Sequence, residues 1–163
     1  MEEDKTKVQA PLQPAKPDPA LRRLDILVGK WELRGRTLDT AEDSITGWVN
    51  FEWLPGGFFL EARGEIDFRG NKVQSLEILA YDPETDTFPA NVYSNIDGNV
   101  MKYYWDIKGN TVTHWTEGAE YTGTVSEDGK TLSGGWRPQT GTEGSPESTY
   151  DAVMTRVNWK EQP

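Results

Sequence analysis

Short turn sequences recur along most of this chain and leave no room between them for long helices. They combine glycine, proline, asparagine, serine and aspartate, the residues that reverse the backbone most readily. The turn sequences are Pro55–Gly57, Arg69–Asn71, Asp82–Glu84, Asp97–Gly98, Lys108–Asn110, Asp128–Gly129 and Gly144–Pro146. The segments between them are rich in Val, Ile, Thr and aromatic residues, which favour strands. The pattern predicts a meander of antiparallel strands.

Roughly ten strands are expected from these segments. Their predicted bounds are Lys30–Leu38, Ile45–Leu54, Phe58–Phe68, Lys72–Tyr81, Thr87–Ser94, Val100–Ile107, Thr111–Thr116, Tyr121–Ser126, Thr131–Arg137 and Thr149–Val157. Because no long helical segment separates them, the sheet should be antiparallel. An open sheet of this size would leave two unpaired edges, whereas a closed up-and-down barrel removes both. We predict an all-β closed barrel, with a two-sheet sandwich as the alternative.

The barrel is expected to follow a short N-terminal helix. Asp18 is a good N-cap and Pro19 suits the first helical position. Leucines then follow at helical spacing, at positions 21, 24 and 27, so the helix should cover one mouth of the barrel and end at Gly29.

Sequence composition divides the chain into one domain and two tails. Residues 1–17 contain three prolines and almost no apolar periodicity, which predicts a disordered tail. The predicted barrel domain covers residues 18–158, and residues 159–163 form a short C-terminal tail. A chain of 163 residues is long enough for one such domain with a substantial core.

The first and last predicted strands carry a matched pair of large side chains, Trp31 and Arg156. An indole at this position can close one end of a small barrel from the inside. A guanidinium from the opposite end of the chain can stack on the indole and donate to nearby carbonyls. The pair therefore predicts a container closed at one end. A contact between the pair and a ligand is the alternative.

Charge and cysteine content exclude several kinds of partner. The chain has 27 acidic and 17 basic residues, a net charge of -10, which repels nucleic acid and anionic membrane surfaces. It contains no cysteine, which excludes disulfides and thiolate metal sites and fits a reducing cytoplasm. The charged N-terminus lacks the apolar stretch of a secretory signal. We predict a cytoplasmic monomer or homodimer with neither a metal nor a cofactor.

Aromatic residues are abundant: seven Trp, six Tyr and five Phe. Large rings fill barrel interiors and also line apolar ligand pockets. Several predicted strands place an aromatic and a polar side chain at similar depth. The residues predicted to line a chamber are Trp53, Tyr93, Tyr103, Trp105, His114 and Trp136, with Arg63 and Glu77 as candidate polar anchors.

Two of these candidates each allow a chemical and a structural interpretation. His114 is the only histidine, so it is the first candidate for a proton shuttle or an axial ligand. The favoured interpretation is an inert, hydrogen-bonded strand residue that is partly exposed. Glu77 and Arg63 could form a charged pair inside the barrel that orients a polar ligand group. Outside the barrel, the same pair would contribute only about 0.2–1 kcal/mol of stability.

Several motifs resemble a known superfamily. Leu24–Glu32 is similar to the opening of calycin-like proteins, which include the lipocalins and fatty-acid-binding proteins. Phe51–Phe59, Tyr81–Thr85, Ser126–Gly129 and Thr155–Val157 resemble a bacterial family of lipocalin-like proteins catalogued as a domain of unknown function. The resemblance covers about residues 20 to 157. It implies a β-barrel that binds small hydrophobic molecules such as retinoids, fatty acids, pigments or haem, and in a few relatives an isomerase or cyclase.

The function expected from these observations is the binding of a small, predominantly apolar molecule. An isomerase or cyclase that uses the barrel cavity is the first alternative, and it requires a titratable side chain buried beside a void. A homodimeric interaction module is the second. Exposed aromatic residues such as Trp48 and Trp159 would then form the subunit contact.

Overall fold

A computed structural model describes residues 15–139 and 149–157. One short 3₁₀ helix, Pro19–Leu27, precedes the strands. The strands are β1 Gly29–Thr37, β2 Ile45–Trp53, β3 Leu60–Phe68, β4 Asn71–Leu79, β5 Phe88–Ser94, β6 Met101–Lys108, β7 Thr111–Thr116, β8 Ala119–Val125, β9 Thr131–Pro138 and β10 Tyr150–Arg156. These bounds lie within two residues of the predicted ones. Most of the N-terminal tail, the whole C-terminal tail and Trp159 lie outside the described residues.

The strands form one closed antiparallel barrel. Each strand pairs with its neighbour in the chain, and β1 pairs with β10 to complete the circle. Trp31 lies opposite Arg156 at one end of this last pairing, and Thr37 lies opposite Tyr150 at the other. The prediction of a closed up-and-down barrel is confirmed, and the sandwich alternative is wrong.

The helix forms as predicted and covers one end of the barrel. The Asp18 carboxylate accepts a hydrogen bond of 2.9 Å from the backbone N–H of Ala20, which caps the first turn. A 3₁₀ helix has three residues per turn, so leucines three positions apart share one face. Leu21, Leu24 and Leu27 are accordingly all buried in the core.

Trp31 and Arg156 seal the same end. Trp31 is completely buried, and its indole N–H donates to the Leu27 carbonyl at 2.8 Å. The Arg156 guanidinium carbon lies 4.1 Å from the centroid of the Trp31 ring. The guanidinium also donates to the carbonyls of Ile26 at 2.9 Å, Gly129 at 3.0 Å and Val28. The predicted closure of one end of the barrel by Trp31 and Arg156 is confirmed. Their contacts join the helix to both terminal strands.

A close approach of two strands occurs at Gly134 in β9. A Cβ atom at this position would meet the Thr122 carbonyl oxygen and would lie 2.6 Å from the Cα of Gly123 in β8. Both obstacles are backbone atoms, which a change of rotamer cannot move. Glycine inside a strand often marks such a close backbone approach.

Candidate functional site

A cavity of about 280 Å³ lies inside the barrel, away from the sealed end. Side chains from β1 to β10 surround it, since alternate residues of each strand point inward. Its apolar lining includes Val49, Phe51, Ile66, Val92, Met101 and Met154. Polar groups are few and lie mainly on β4, β6, β7 and β8. Among the described residues, no lysine or arginine lines the cavity.

Glu77 is the acidic side chain of this cavity. It lies on β4 with its side chain turned inward, and only 8% of the residue is exposed. One carboxylate oxygen, Oε2, accepts a hydrogen bond of 2.8 Å from the indole N–H of Trp105 in β6. A buried carboxylate is costly unless it is paired, and this donor is neutral. The charge of Glu77 is therefore only partly compensated by the protein.

His114 lies beside this carboxylate on β7. Its ring stacks on Trp105, with centroids 3.7 Å apart and an interplanar angle of 17°. Its Nε2 atom is 3.4 Å from Oε2 of Glu77, yet this buried nitrogen makes no hydrogen bond within the described residues. Tyr103 and Trp136 lie against the same ring, with centroids 5.0 Å and 5.1 Å away. His114 is therefore in contact with three aromatic rings, those of Tyr103, Trp105 and Trp136.

Tyr121 contributes a second polar atom without a partner. Its hydroxyl is buried and makes no hydrogen bond within the part of the chain that the structure describes. The phenol lies along β8 over Gly123, where any larger residue would displace it. Its ring also contacts Trp136, with centroids 5.8 Å apart. Unpartnered polar atoms facing a cavity are the groups that a ligand can satisfy.

Burial changes the acidity of the tyrosines around the cavity. It raises the pKa of Tyr121 and of Tyr150 well above the ordinary value, because the charged phenolate would lose its hydration. Burial also raises the pKa of Tyr103, and the nearby Glu77 carboxylate adds to that rise. All three hydroxyls therefore remain protonated in the folded protein at neutral pH.

These tyrosines predict a loss of stability in alkali. Each has a higher pKa in the folded state than in the unfolded state. Its contribution to the free energy of unfolding is therefore complete below about pH 10 and falls as the pH rises above that value. The free energy of unfolding should decrease by about 1.4 kcal/mol per pH unit for each such group. Urea unfolding between neutral pH and alkali measures this. Tyr121→Phe should make the decrease shallower, and Tyr93→Phe on the outer surface is the control. An equal slope in wild type and Tyr121→Phe would contradict the prediction.

The structure brings five of the eight predicted site residues together. Tyr103, Trp105, His114, Trp136 and Glu77 all line the cavity. The prediction of a titratable side chain buried beside a void therefore holds for Glu77.

The other three predicted residues lie elsewhere. Arg63 alternates outward on β3, where its guanidinium pairs with Glu61 at 2.7 Å. It is therefore not a partner of Glu77, inside or outside the barrel, and both predicted arrangements of that pair are wrong. Tyr93 is 45% exposed on the outer face of β5. Trp53 lies near the sealed end, where its indole N–H donates to Asp25 at 2.8 Å.

Sequence reasoning missed Tyr121 as a site residue. The predicted eighth strand begins at Tyr121 and so leaves out Ala119. Without Ala119, the face that Tyr121 shares with Ala119 and Gly123 is not evident from the sequence. The buried–exposed alternation of Ala119–Val125 is regular and places Tyr121 inward. Trp48, a candidate subunit contact in the homodimer alternative, is half-buried and lines the cavity, with the Lys30 ammonium 5.2 Å from its ring centroid.

Two further absences concern the described residues. In residues 15–139 and 149–157, no group of three or more His, Asp or Glu side chains is placed to hold a metal ion. No helix in the same ranges is both long enough and apolar enough to cross a membrane.

Fold and site together define the class: a closed, ten-stranded antiparallel barrel with a mostly apolar internal cavity. The family model "Protein of unknown function (DUF1579)" matches residues 16–130, which is most of the chain. The chain therefore belongs to this family.

Solved structures support the same fold. The barrel is similar to the crystal structure of Rv2717c from M. tuberculosis, with a TM-score of 0.58 and 15% sequence identity. The likeness covers 88% of this chain and 100% of that one. At this identity it shows a shared fold and nothing about ligands. A search of curated proteins gives no significant match.

Proposed function

We propose that this protein binds a small, predominantly apolar molecule inside the barrel, as lipocalin-like proteins do. The cavity is the observation that carries the proposal. It is surrounded by apolar and aromatic side chains, and it contains a few polar groups, among them Glu77, His114 and Tyr121. Ligand sites generally have this composition, because apolar surface provides affinity and a few polar groups fix orientation.

The size of the cavity limits the ligand. Pockets for drug-sized molecules typically measure about 300–1,000 Å³. A cavity of about 280 Å³ is just below that range, so the expected ligand is smaller than most drugs. The predicted barrel domain, residues 18–158, is the proposed binding unit. The proposed ligand-contacting residues are Glu77, Tyr103, Trp105, His114 and Trp136.

Intrinsic tryptophan fluorescence tests this proposal. Trp136 lines the cavity, so a bound molecule should change its emission. Titration with a panel of small apolar compounds is expected to give saturable changes at micromolar concentration. The panel should include both aromatic and aliphatic compounds.

Two matched variants locate the signal. Trp136→Phe should lose part of the change, since Trp48 and Trp105 also line the cavity and continue to report binding. Trp115→Phe should retain it, because Trp115 lies outside the cavity and stacks on Tyr104 with centroids 5.8 Å apart. Binding in the cavity would be refuted if no compound of the panel gave a saturable change. It would also be refuted if the change were complete in Trp136→Phe and lost in Trp115→Phe.

A catalytic role is the second candidate. The observation that favours it is the position of Glu77 and His114, a carboxylate and an imidazole side by side at the cavity wall. Such groups can move a proton within an enclosed substrate, as an isomerase or cyclase requires. Native mass spectrometry of the protein purified from its own host would identify a retained compound. Recovery of that compound unchanged after incubation supports binding alone, whereas its conversion supports catalysis.

A further inference from the structure

The charge around Glu77 points to one chemical class of ligand. We infer that the cavity takes a small aromatic or alicyclic molecule that carries a protonated amine, and that the amine binds Glu77. This inference rests on the proposed function, because it names the ligand class for the same cavity. It depends on three observations: the absence of a lysine or arginine beside Glu77, the His114 nitrogen without a hydrogen bond among the described residues, and the aromatic rings around both groups.

Glu77 has no lysine or arginine as a partner, and the one basic group beside it, His114 with Nε2 3.4 Å away, forms an ion pair with it only when the imidazole is protonated. Arg63, the arginine on the adjacent strand, points outward to Glu61. No other lysine or arginine among residues 15–139 and 149–157 lines the cavity. The only hydrogen bond to the Glu77 carboxylate from a described side chain comes from Trp105. A ligand cation would supply the charge-assisted hydrogen bond that the protein does not.

His114 adds an acceptor next to the carboxylate. Its Nε2 is 3.4 Å from Oε2 of Glu77 and has no hydrogen-bond partner among the described residues. With the ring proton on Nδ1, Nε2 presents a lone pair toward the same space. An ammonium group has several N–H donors, so one such group can bind both acceptors at once.

Aromatic rings surround this pair of acceptors. Tyr103, Trp105 and Trp136 all contact the His114 ring and line the cavity. The face of an aromatic ring carries negative charge density, which attracts a cation and repels an anion. A fatty-acid carboxylate would instead place a second negative charge near Glu77 without a lysine or arginine in the described lining to receive it. The cavity therefore selects against anionic ligands.

Three nearly isosteric compounds test the inference by calorimetry at neutral pH. Phenethylamine is cationic, phenethyl alcohol is neutral and phenylacetate is anionic. We expect the amine to bind about tenfold more tightly than the alcohol, and the acid to bind most weakly. Equal affinity for amine and alcohol, or tighter binding of the acid, would overturn the inference. This comparison needs only the wild-type protein, so it does not depend on a variant that folds.

Variants assign the preference to Glu77. Glu77→Gln keeps the size and the acceptor for Trp105 and should abolish the advantage of the amine over the alcohol. The matched control is Glu61→Gln, the same change on the outer surface, which should leave the advantage intact. His114→Phe keeps the stacked ring and should lower amine affinity severalfold. A full amine advantage in a folded Glu77→Gln protein would also overturn the inference.

The outcomes separate this inference from the proposed function. Binding of the alcohol without any preference for the amine refutes the amine class and leaves apolar binding supported. Binding of none of the three compounds refutes the amine class, and the wider apolar panel then decides the proposed function by itself.

Discussion

Replacing Trp31 with alanine is expected to lower the free energy of unfolding by about 3–5 kcal/mol. Trp31 is fully buried at the sealed end of the barrel, and the variant would leave a large cavity there. It would also remove the ring on which the Arg156 guanidinium stacks and the N–H that donates to the Leu27 carbonyl. Urea unfolding followed by far-ultraviolet circular dichroism measures the loss.

Trp48→Ala is the control for this experiment. Trp48 is only half-buried, so truncation of its indole should cost much less than truncation of Trp31. A comparable decrease in the free energy of unfolding for the two variants would contradict this prediction.

The second large effect is expected at Gly134. A methyl group at this position meets the backbone of β8 at Thr122 and Gly123, so the two strands must separate. We expect Gly134→Ala to destabilise the protein by about 3 kcal/mol, at the upper end of the usual cost of overpacking. Urea unfolding gives the value, and loss of the near-ultraviolet circular dichroism signal would show that the barrel has opened.

Gly98→Ala provides a matched comparison. Gly98 has nothing within 4 Å of the position of its added Cβ, and its φ is not positive. The substitution should therefore change stability little. A Gly134→Ala protein as stable as Gly98→Ala would contradict the close approach of β8 and β9.

Much of the fold follows from the sequence. Turn residues at Asp97–Gly98 and Asp128–Gly129 mark the ends of segments whose composition favours strands. Strands joined by short turns pair in chain order, and ten of them must close to protect their edges. The pair of Trp31 and Arg156 then identifies the sealed end. These features are local or terminal, which is why a single sequence reveals them.

The site is less predictable because alternation does not say which face is inside. The interior of this barrel includes a carboxylate, at Glu77, whereas the outer face of β5 includes an exposed aromatic ring, at Tyr93. Polarity therefore does not distinguish the two faces at these positions. Glu77 faces inward because Leu79, two positions on, belongs to the core. That fact depends on the closed sheet and not on the strand alone.

The pairing of β1 with β10 has a consequence for how the chain is made. Arg156 donates to the carbonyl of Val28 across 128 positions of sequence. On a ribosome, β1 emerges early and must wait for β10 before either gains its second neighbour. Until then β1 and β9 present open edges on which another nascent chain could add a strand. The slowest and most aggregation-sensitive moment of biogenesis should therefore be the arrival of β10, because contacts so distant in sequence carry the largest entropic cost of ring closure.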